Sequence, residues 1–184
     1  LLLCVTAALP AQTTTLPLDP HSSSLKWTGH AEVGTYAPSG TLAIRDGRVD
    51  IAGGKFAAAT MTIDMNSLQQ ANSDLVHHLK SPDFFDVEHF PTSTLTLNKL
   101  SGGKVAGTLT VRGKTGAIEA PVQIVQADGR FTITGKVRLD RTQYGIVYNS
   151  SSIFSGLGDK AISNYFEVEF TISGAGTLPA QVRS

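Results

Sequence analysis

From Leu25 onward the chain alternates: apolar side chains fall at every second position in short runs, broken by Gly, Asn, Asp or Pro. A period of two is the pleat of a β-strand, whose successive side chains leave opposite faces. In ISNYFEVEFTIS, Phe166, Val168, Phe170 and Ile172 share one face, and Tyr165, Glu167, Glu169 and Thr171 the other. GKFAAATMTIDM divides likewise, with Ala57, Ala59, Met61, Ile63 and Met65 opposed to Phe56, Ala58, Thr60, Thr62 and Asp64. STLTLNKL, KVAGTLTVRG, AIEAPVQIVQADG and RFTITGKVRLDR continue the pattern. In TLAIRDGRVDI the pair Asp46-Gly47 stands between two alternating runs and predicts a hairpin turn. About eight strands result.

One segment reads as helical. Ser73 is placed to cap DLVHHLK, which brings Leu75 and Leu79 together at i, i+4 and ends before Pro82. The expected fold is therefore all-β, an antiparallel meander with one short helix. Strand length and two-faced character favour a closed eight-stranded barrel over a sandwich. The run Ala57-Ala58-Ala59 has two readings. Small inward residues leave room inside a barrel, or they pack beneath the helix.

With 41% hydrophobic residues, 16% charged residues and a formal net charge of zero, the chain has material for a core. It has no basic cluster to recruit nucleic acid. The opening LLLCVTAALPAQ lacks an initiating Met and basic residues. It reads as the remainder of a secretory h-region, residues 1–12, too short to span a bilayer. A lipoprotein signal is the alternative, although three leucines before Cys4 leave no small residue for lipobox cleavage. Removal of this segment would leave no cysteine, so a disulfide framework is excluded. Residues 13–17 are expected as a linker at the start of a polar, Pro-containing arm. Residues 18–174 form the barrel, and 175–184 a polar C-terminal tail.

Motifs for chemistry are few. Gly113-Lys114-Thr115 lacks the upstream Gly of a phosphate loop and follows a strand, so it reads as a turn. His77 and His78 point about 100° apart on a helix and cannot form an i, i+4 metal pair. No Ser lies in a nucleophile elbow. The serine clusters at 22–24 and 150–152 read as polar loops, and Asn149-Ser150-Ser151 matches a glycosylation acceptor by accident. Arg141 is more informative, because Tyr144 and Tyr148 follow it closely. It can hold an anionic or carbonyl head group, or it can lock a loop by pairing with Asp83, Asp86 or Asp159.

The segment LKSPDFFDVEHFP, residues 79–91, has no repeating period yet carries Phe84 and Phe85. Exposing each ring would cost about 1.5–3 kcal/mol, so the segment reads as a lid across a barrel end. HLKSPDFFDVEHFPTSTLTL, KVAGTLTVRGKT, LDRTQYGIVYNS and LGDKAISNYFEVEF occur in this order. Together, from Leu18 to Ser173, they resemble the YceI-like family of exported lipid-binding proteins. The late loop, with Phe154 and Leu157, is similar to one branch of it.

The resemblance implies a lipocalin-like barrel holding a long isoprenoid, quinone-like or fatty chain in a tunnel. It implies a periplasmic or secreted protein, often dimeric, with no established catalytic residues and no cofactor besides the bound lipid. The residues expected around the ligand are Trp27, His30, Phe56, Phe84, Phe85, Arg141, Tyr144, Tyr148 and Phe154. Trp27 is expected in the wall and His30 near the rim. An enzyme acting on a lipid through His30 or Arg141 is the alternative, and it needs a perturbed His or carboxylate facing the cavity. An integral outer-membrane barrel conflicts with the charged residues alternating along strand faces, Lys136, Arg138, Glu167 and Glu169 among them.

Overall fold

The computed structural model describes residues 12–180. Its strands are β1 (Thr13–Pro17), β2 (Ser24–Thr28), β3 (Ser39–Ala52), β4 (Lys55–Gln69), β5 (Thr92–Ser101), β6 (Lys104–Val111), β7 (Lys114–Ala127), β8 (Arg130–Asp140) and β9 (Tyr165–Ala175). A single α-helix among the described residues, α1 (Ser73–Lys80), interrupts the meander. All neighbours are antiparallel in the order β1-β3-β2-β9-β8-β7-β6-β5-β4, and the β3–β4 pairing closes the sheet on itself. β1 pairs with the far half of β3, from Thr13↔Ala52 to Pro17↔Arg48, and β2 with its near half, from Leu25↔Leu42 to Thr28↔Ser39. The two are one strand broken by a 3-10 turn at Pro20–Ser22, so the result is the expected closed eight-stranded barrel with a short helix.

Residues 13–17 are thus a strand and not a linker. Their threonines face solvent and only Leu16 is buried, so five residues with one apolar member carry too little pattern to be recognised. Asp46-Gly47 is not a turn either. β3 runs straight through it with a bulge at Arg45, and Gly47 serves a close approach. A Cβ there would lie 2.5 Å from Leu18 Cδ1 and 2.8 Å from the Thr60 carbonyl oxygen. The β3–β4 turn is Gly53-Gly54. A second bulge, at Ala57, resets the phase of β4: Ile51 faces Phe56 while Asp50 faces Ala58. Phe56 therefore shares the inner face with Ala59, Met61 and Ile63, and Ala57 is exposed. The cap of α1 is Asn72, not Ser73: its side-chain oxygen accepts from the Asp74 and Leu75 N–H groups at 2.9 and 3.2 Å.

Connections segregate by end. At one end Gly53-Gly54, Gly102-Gly103 and Asp128-Gly129 make two-residue turns with both φ angles positive, the geometry whose twist matches paired strands. At the other end lie the long connections 29–38, 70–91 and 141–164, beside one tight turn at Arg112-Gly113. That last turn is where Gly113-Lys114-Thr115 falls. The tight end is closed from within by Phe131, Leu16, Val49 and Ile51. Leu178, 1% exposed, completes this floor, and its N–H donates to Gln126 Oε1 at 3.1 Å. The segment expected as a polar tail therefore opens with the last residue of β9 and carries a core residue, Leu178. Residues 1–11 and 181–184, on which the expected signal remnant and the end of the expected tail fall, lie outside the described residues.

Candidate functional site

Two cavities lie along the barrel axis. The inner one, about 140 Å³, is walled by the inward faces of the strands, among them Phe56, Ile63, Leu97, Ile118, Ile133 and Phe170. Thr60 is the single polar residue of its lining. Closing a sheet into a barrel brings every inner face to one axis, and branched side chains of moderate size leave the centre unfilled.

The outer cavity, a vestibule of about 290 Å³, sits among the long connections. α1 contributes Leu75 and Leu79, and the 81–91 segment contributes Phe84 and Phe85. β2 ends at Thr28, so the chain is free to turn after Trp27 and bring His30 to the same space. Tyr36 and Pro38 come from the 29–38 connection, and Lys160 through Ser163 from the 141–164 connection. The two cavities share no lining residue but abut in register. Trp27 and Phe166 line the vestibule, while their cross-strand partners Val168 and Leu139 line the inner cavity. The two linings meet where Trp27 pairs with Val168 and Phe166 with Leu139, one following the other along the expected tunnel.

The lid is tied down by named contacts. Arg112 donates to the Phe84 carbonyl at 3.0 Å and to that of Gly145 at 3.5 Å. Phe84, 6% exposed, packs against His78 and Tyr148 at ring-centroid distances of 5.1 and 5.6 Å. Asp86 anchors the turn, adopting φ 49° and taking a hydrogen bond with His89 Nδ1 at 2.8 Å. That contact, with the carboxylate's charge, raises the His89 pKa. The helix end, Pro82 and two local turns made this stretch look aperiodic.

Arg141 is 4% exposed and lines the vestibule. It meets neither Asp83 nor Asp86. Its Nε donates to the Ser163 carbonyl at 2.9 Å, Nη1 to Ile146 at 3.0 Å and Nη2 to Ile162 at 2.9 Å. Burial pushes its pKa down, and the charges of Asp140 and Glu32 offset this from beyond contact. The locking role foreseen for Arg141 is real, but backbone carbonyls take the place of a carboxylate. The third foreseen partner, Asp159, has its side chain outside the described set.

The vestibule thus gathers Trp27, His30, Phe84, Phe85 and Arg141, and the inner cavity Phe56. Tyr144, Tyr148 and Phe154 line neither cavity. Tyr144 is buried behind the wall, its ring and hydroxyl beside Gly116 of β7, where desolvation raises its pKa. Tyr148 buttresses Phe84 and His78. Phe154 is 47% exposed on the outer loop. Residues not singled out beforehand include Tyr36 and Ile162, which sit in loops without periodicity, and the inner faces of β5–β8, which alternation alone would have supplied.

A closed antiparallel barrel with an apolar interior and a polar-edged mouth defines a binding protein of lipocalin-like shape. The chain belongs to the YceI-like family, whose domain model matches residues 17–174. A UPF0312 protein of Staphylococcus aureus is 33% identical over 127 residues, 62% of this chain and 72% of that protein. One from Staphylococcus epidermidis is 31% identical over 103 residues, covering 50% and 58%. Among solved structures, BcnA of Burkholderia cenocepacia aligns with a TM-score of 0.69 and 19% identity, covering 85% of this chain and 98% of that one. A polyisoprenoid binding domain from Saccharophagus degradans gives 0.66 and 16%, covering 88% and 98%. The YceI protein of Campylobacter jejuni gives 0.60 and 18%, covering 80% and 89%. At these identities the structures speak for the fold. Among the described residues no helix is long and apolar enough to cross a membrane. The outer faces of β8 and β9 carry Lys136 paired with Glu167 at 2.7 Å and Arg138 over the Tyr165 ring.

Proposed function

We propose that this chain is a non-catalytic, exported binding protein that holds a long apolar ligand inside the barrel, for transport, storage or stress protection. The ligand is a polyisoprenoid, an isoprenoid quinone or a fatty chain. The observation that carries the reading is the inner cavity, whose lining offers a guest almost nothing but hydrocarbon. A chain placed there gains about 0.8 kcal/mol per buried CH₂ and has no polar atom to desolvate. The two chambers together reach the lower part of the roughly 300–1,000 Å³ of small-molecule sites. Phe56 contacts the chain, Trp27, Phe84 and Phe85 line its entry, and His30 and Arg141 stand at the head end. The polyisoprenoid-binding neighbour supports this ligand class. The protein works in the periplasm or outside the cell, as a monomer or a homodimer, without a further cofactor.

Native mass spectrometry of the protein purified from its own source, followed by extraction, tests the reading. The expected result is an added mass that resolves to an isoprenoid or fatty lipid. A protein that emerges empty and takes up none of these lipids overturns it. Release of a chemically altered lipid would replace it by the enzyme alternative.

A further inference from the structure

Six large apolar side chains stand exposed among the described residues, and five of them lie at the mouth. Val33 and Tyr36 belong to the 29–38 connection, Ile153 and Phe154 to the 141–164 connection, and Tyr165 opens β9. Val125, the sixth, stands on β7 near the floor. Single exposed apolar residues are ordinary, but a group gathered at one end marks a surface used for contact.

Backbone bonds hold these residues out in water. The 29–38 connection is a small hairpin, in which the Gly29 N–H donates to the Pro38 carbonyl and that of Ala31 to Tyr36, both at 2.9 Å. Val33 stands at its tip beside Gly34, whose φ is 93°. The Glu32 N–H donates to the Ala161 carbonyl at 2.9 Å and that of Ser163 to His30 at 3.0 Å, so the hairpin is bonded to the 141–164 connection. There the Ile162 N–H donates to the Asn149 carbonyl at 2.9 Å, and the Ser150 carbonyl accepts from Ile153 and Phe154 at 3.1 and 2.9 Å. Hairpin and connection thus form one braced rim. From Thr142 to Gly158 the sequence has no Asp, Glu, Lys or Arg, and Glu32 is the single one between Gly29 and Pro38. The lid, by contrast, exposes Asp83 and Glu88. Charge at the mouth is therefore concentrated on the lid. Tyr36 and Tyr165 line the vestibule while facing solvent, so the apolar rim continues into the cavity.

We propose that this rim docks on the surface of a lipid bilayer and sets the mouth of the barrel against the membrane. The inference rests on the function proposed above for its cargo: a long apolar ligand dissolves in a bilayer and not in water, so it has to pass between membrane and barrel. Val, Ile and Phe side chains gain by entering the boundary of the acyl chains, and tyrosines suit the headgroup level. A rim so poor in charge needs no anionic lipid, and the lid acids would oppose one. A second copy seated on the rim would stop the opening instead.

Flotation of the full chain with phosphatidylcholine vesicles, with and without phosphatidylglycerol, tests the docking. Both kinds should bind, and added salt should change binding by about twofold or less. The double change Ile153→Ser with Phe154→Ser should lower vesicle partitioning about tenfold or more. Val33→Ser, on the other segment of the rim, should lower it several-fold. Val125→Ser, at a site as exposed as Val33 (65% each), should leave it unchanged. All these side chains are exposed, so thermal unfolding should stay at the wild-type temperature. Uptake of oleate and farnesol from buffer reads the proposed function alone and should be the same in every variant. Absence of vesicle binding by the wild type overturns the docking, and continued lipid uptake would leave the proposed function standing. Binding that requires phosphatidylglycerol and vanishes in salt also overturns it, as does an equal loss in Val125→Ser. A rim variant that dissociates a dimer but keeps vesicle binding would assign the rim to a second copy. Failure to take up either lipid overturns the proposed function and, with it, the loading role of the rim.

Discussion

Arg141 holds the mouth of the barrel together, because three carbonyls from two segments depend on one side chain. Arg141→Met keeps the volume but leaves those carbonyls without their donor, and each buried unsatisfied acceptor costs about 1–3 kcal/mol. Urea denaturation should show a loss of about 3 kcal/mol or more, and Arg141→Lys should recover little of it, since a point donor cannot serve a planar fork. Wild-type stability in Arg141→Met would mean that water replaces the guanidinium. The sequence exposed the cationic anchor in LDRTQYG but pointed to carboxylate partners, because charge is visible in a residue name and a free carbonyl is not. At the opposite end, Asp19 accepts from Arg130 at 2.7 Å and from the Ser22 hydroxyl. Chiefly the Arg130 contact, then Ser22, lowers the Asp19 pKa from 3.8 to about 2. A carboxylate whose pKa is depressed by folding favours the fold above its unfolded value, and the contribution fades as pH falls through the folded one. The stability difference between wild type and Asp19→Asn should therefore be constant above about pH 5 and shrink towards pH 2. A difference that does not change over that range would show the pairing to be without thermodynamic effect.

At the scale of elements, the lid divides labour between its two rings. Phe84 packs on His78 and Tyr148, and its carbonyl is held by Arg112, whereas Phe85 is only partly buried and lines the vestibule. Phe84→Ala should cost about 3–5 kcal/mol, the range for a core aromatic. Phe85→Ala should cost much less and act mainly on lipid retention, read as bound lipid per protein by mass spectrometry. Equal retention in both variants, with stability unchanged, would sink this division. The lid was recognisable before any coordinates because two phenylalanines in an aperiodic stretch need somewhere to go. What failed elsewhere was phase. A bulge adds one residue and exchanges the faces of everything beyond it, so strict alternation sets Phe56 opposite Ala59 and Met61, whereas the bulge at Ala57 brings it to their face. The same logic turned Asp46-Gly47 into an apparent hairpin, although Gly47 is small because Leu18 and the Thr60 carbonyl press on it. Composition cannot distinguish a glycine that bends the chain from one that makes room.

For the whole molecule, the separation of tight turns from long connections makes one end a floor and the other a mouth, and the hollow between them is a cost to stability. Wall residues around an unfilled space lose dispersion contacts that a solid core would keep. Ala120, 3% exposed, lines the inner chamber from β7. Ala120→Leu would project a branched side chain into that space. If the space is held open for a ligand, filling it should raise stability by about 0.5–2 kcal/mol, as cavity-filling substitutions do. The same change should sharply reduce the lipid that co-purifies, because guest and side chain compete for one volume. Thermal unfolding and extraction on the same preparation measure both quantities. A more stable variant that retains wild-type lipid would place the chain in the vestibule alone, and the barrel interior would then be only an imperfectly packed core. A variant that loses both stability and lipid would mean that the added methyl groups strain the wall. Opposite movement of the two quantities is the signature of a barrel kept hollow for its guest.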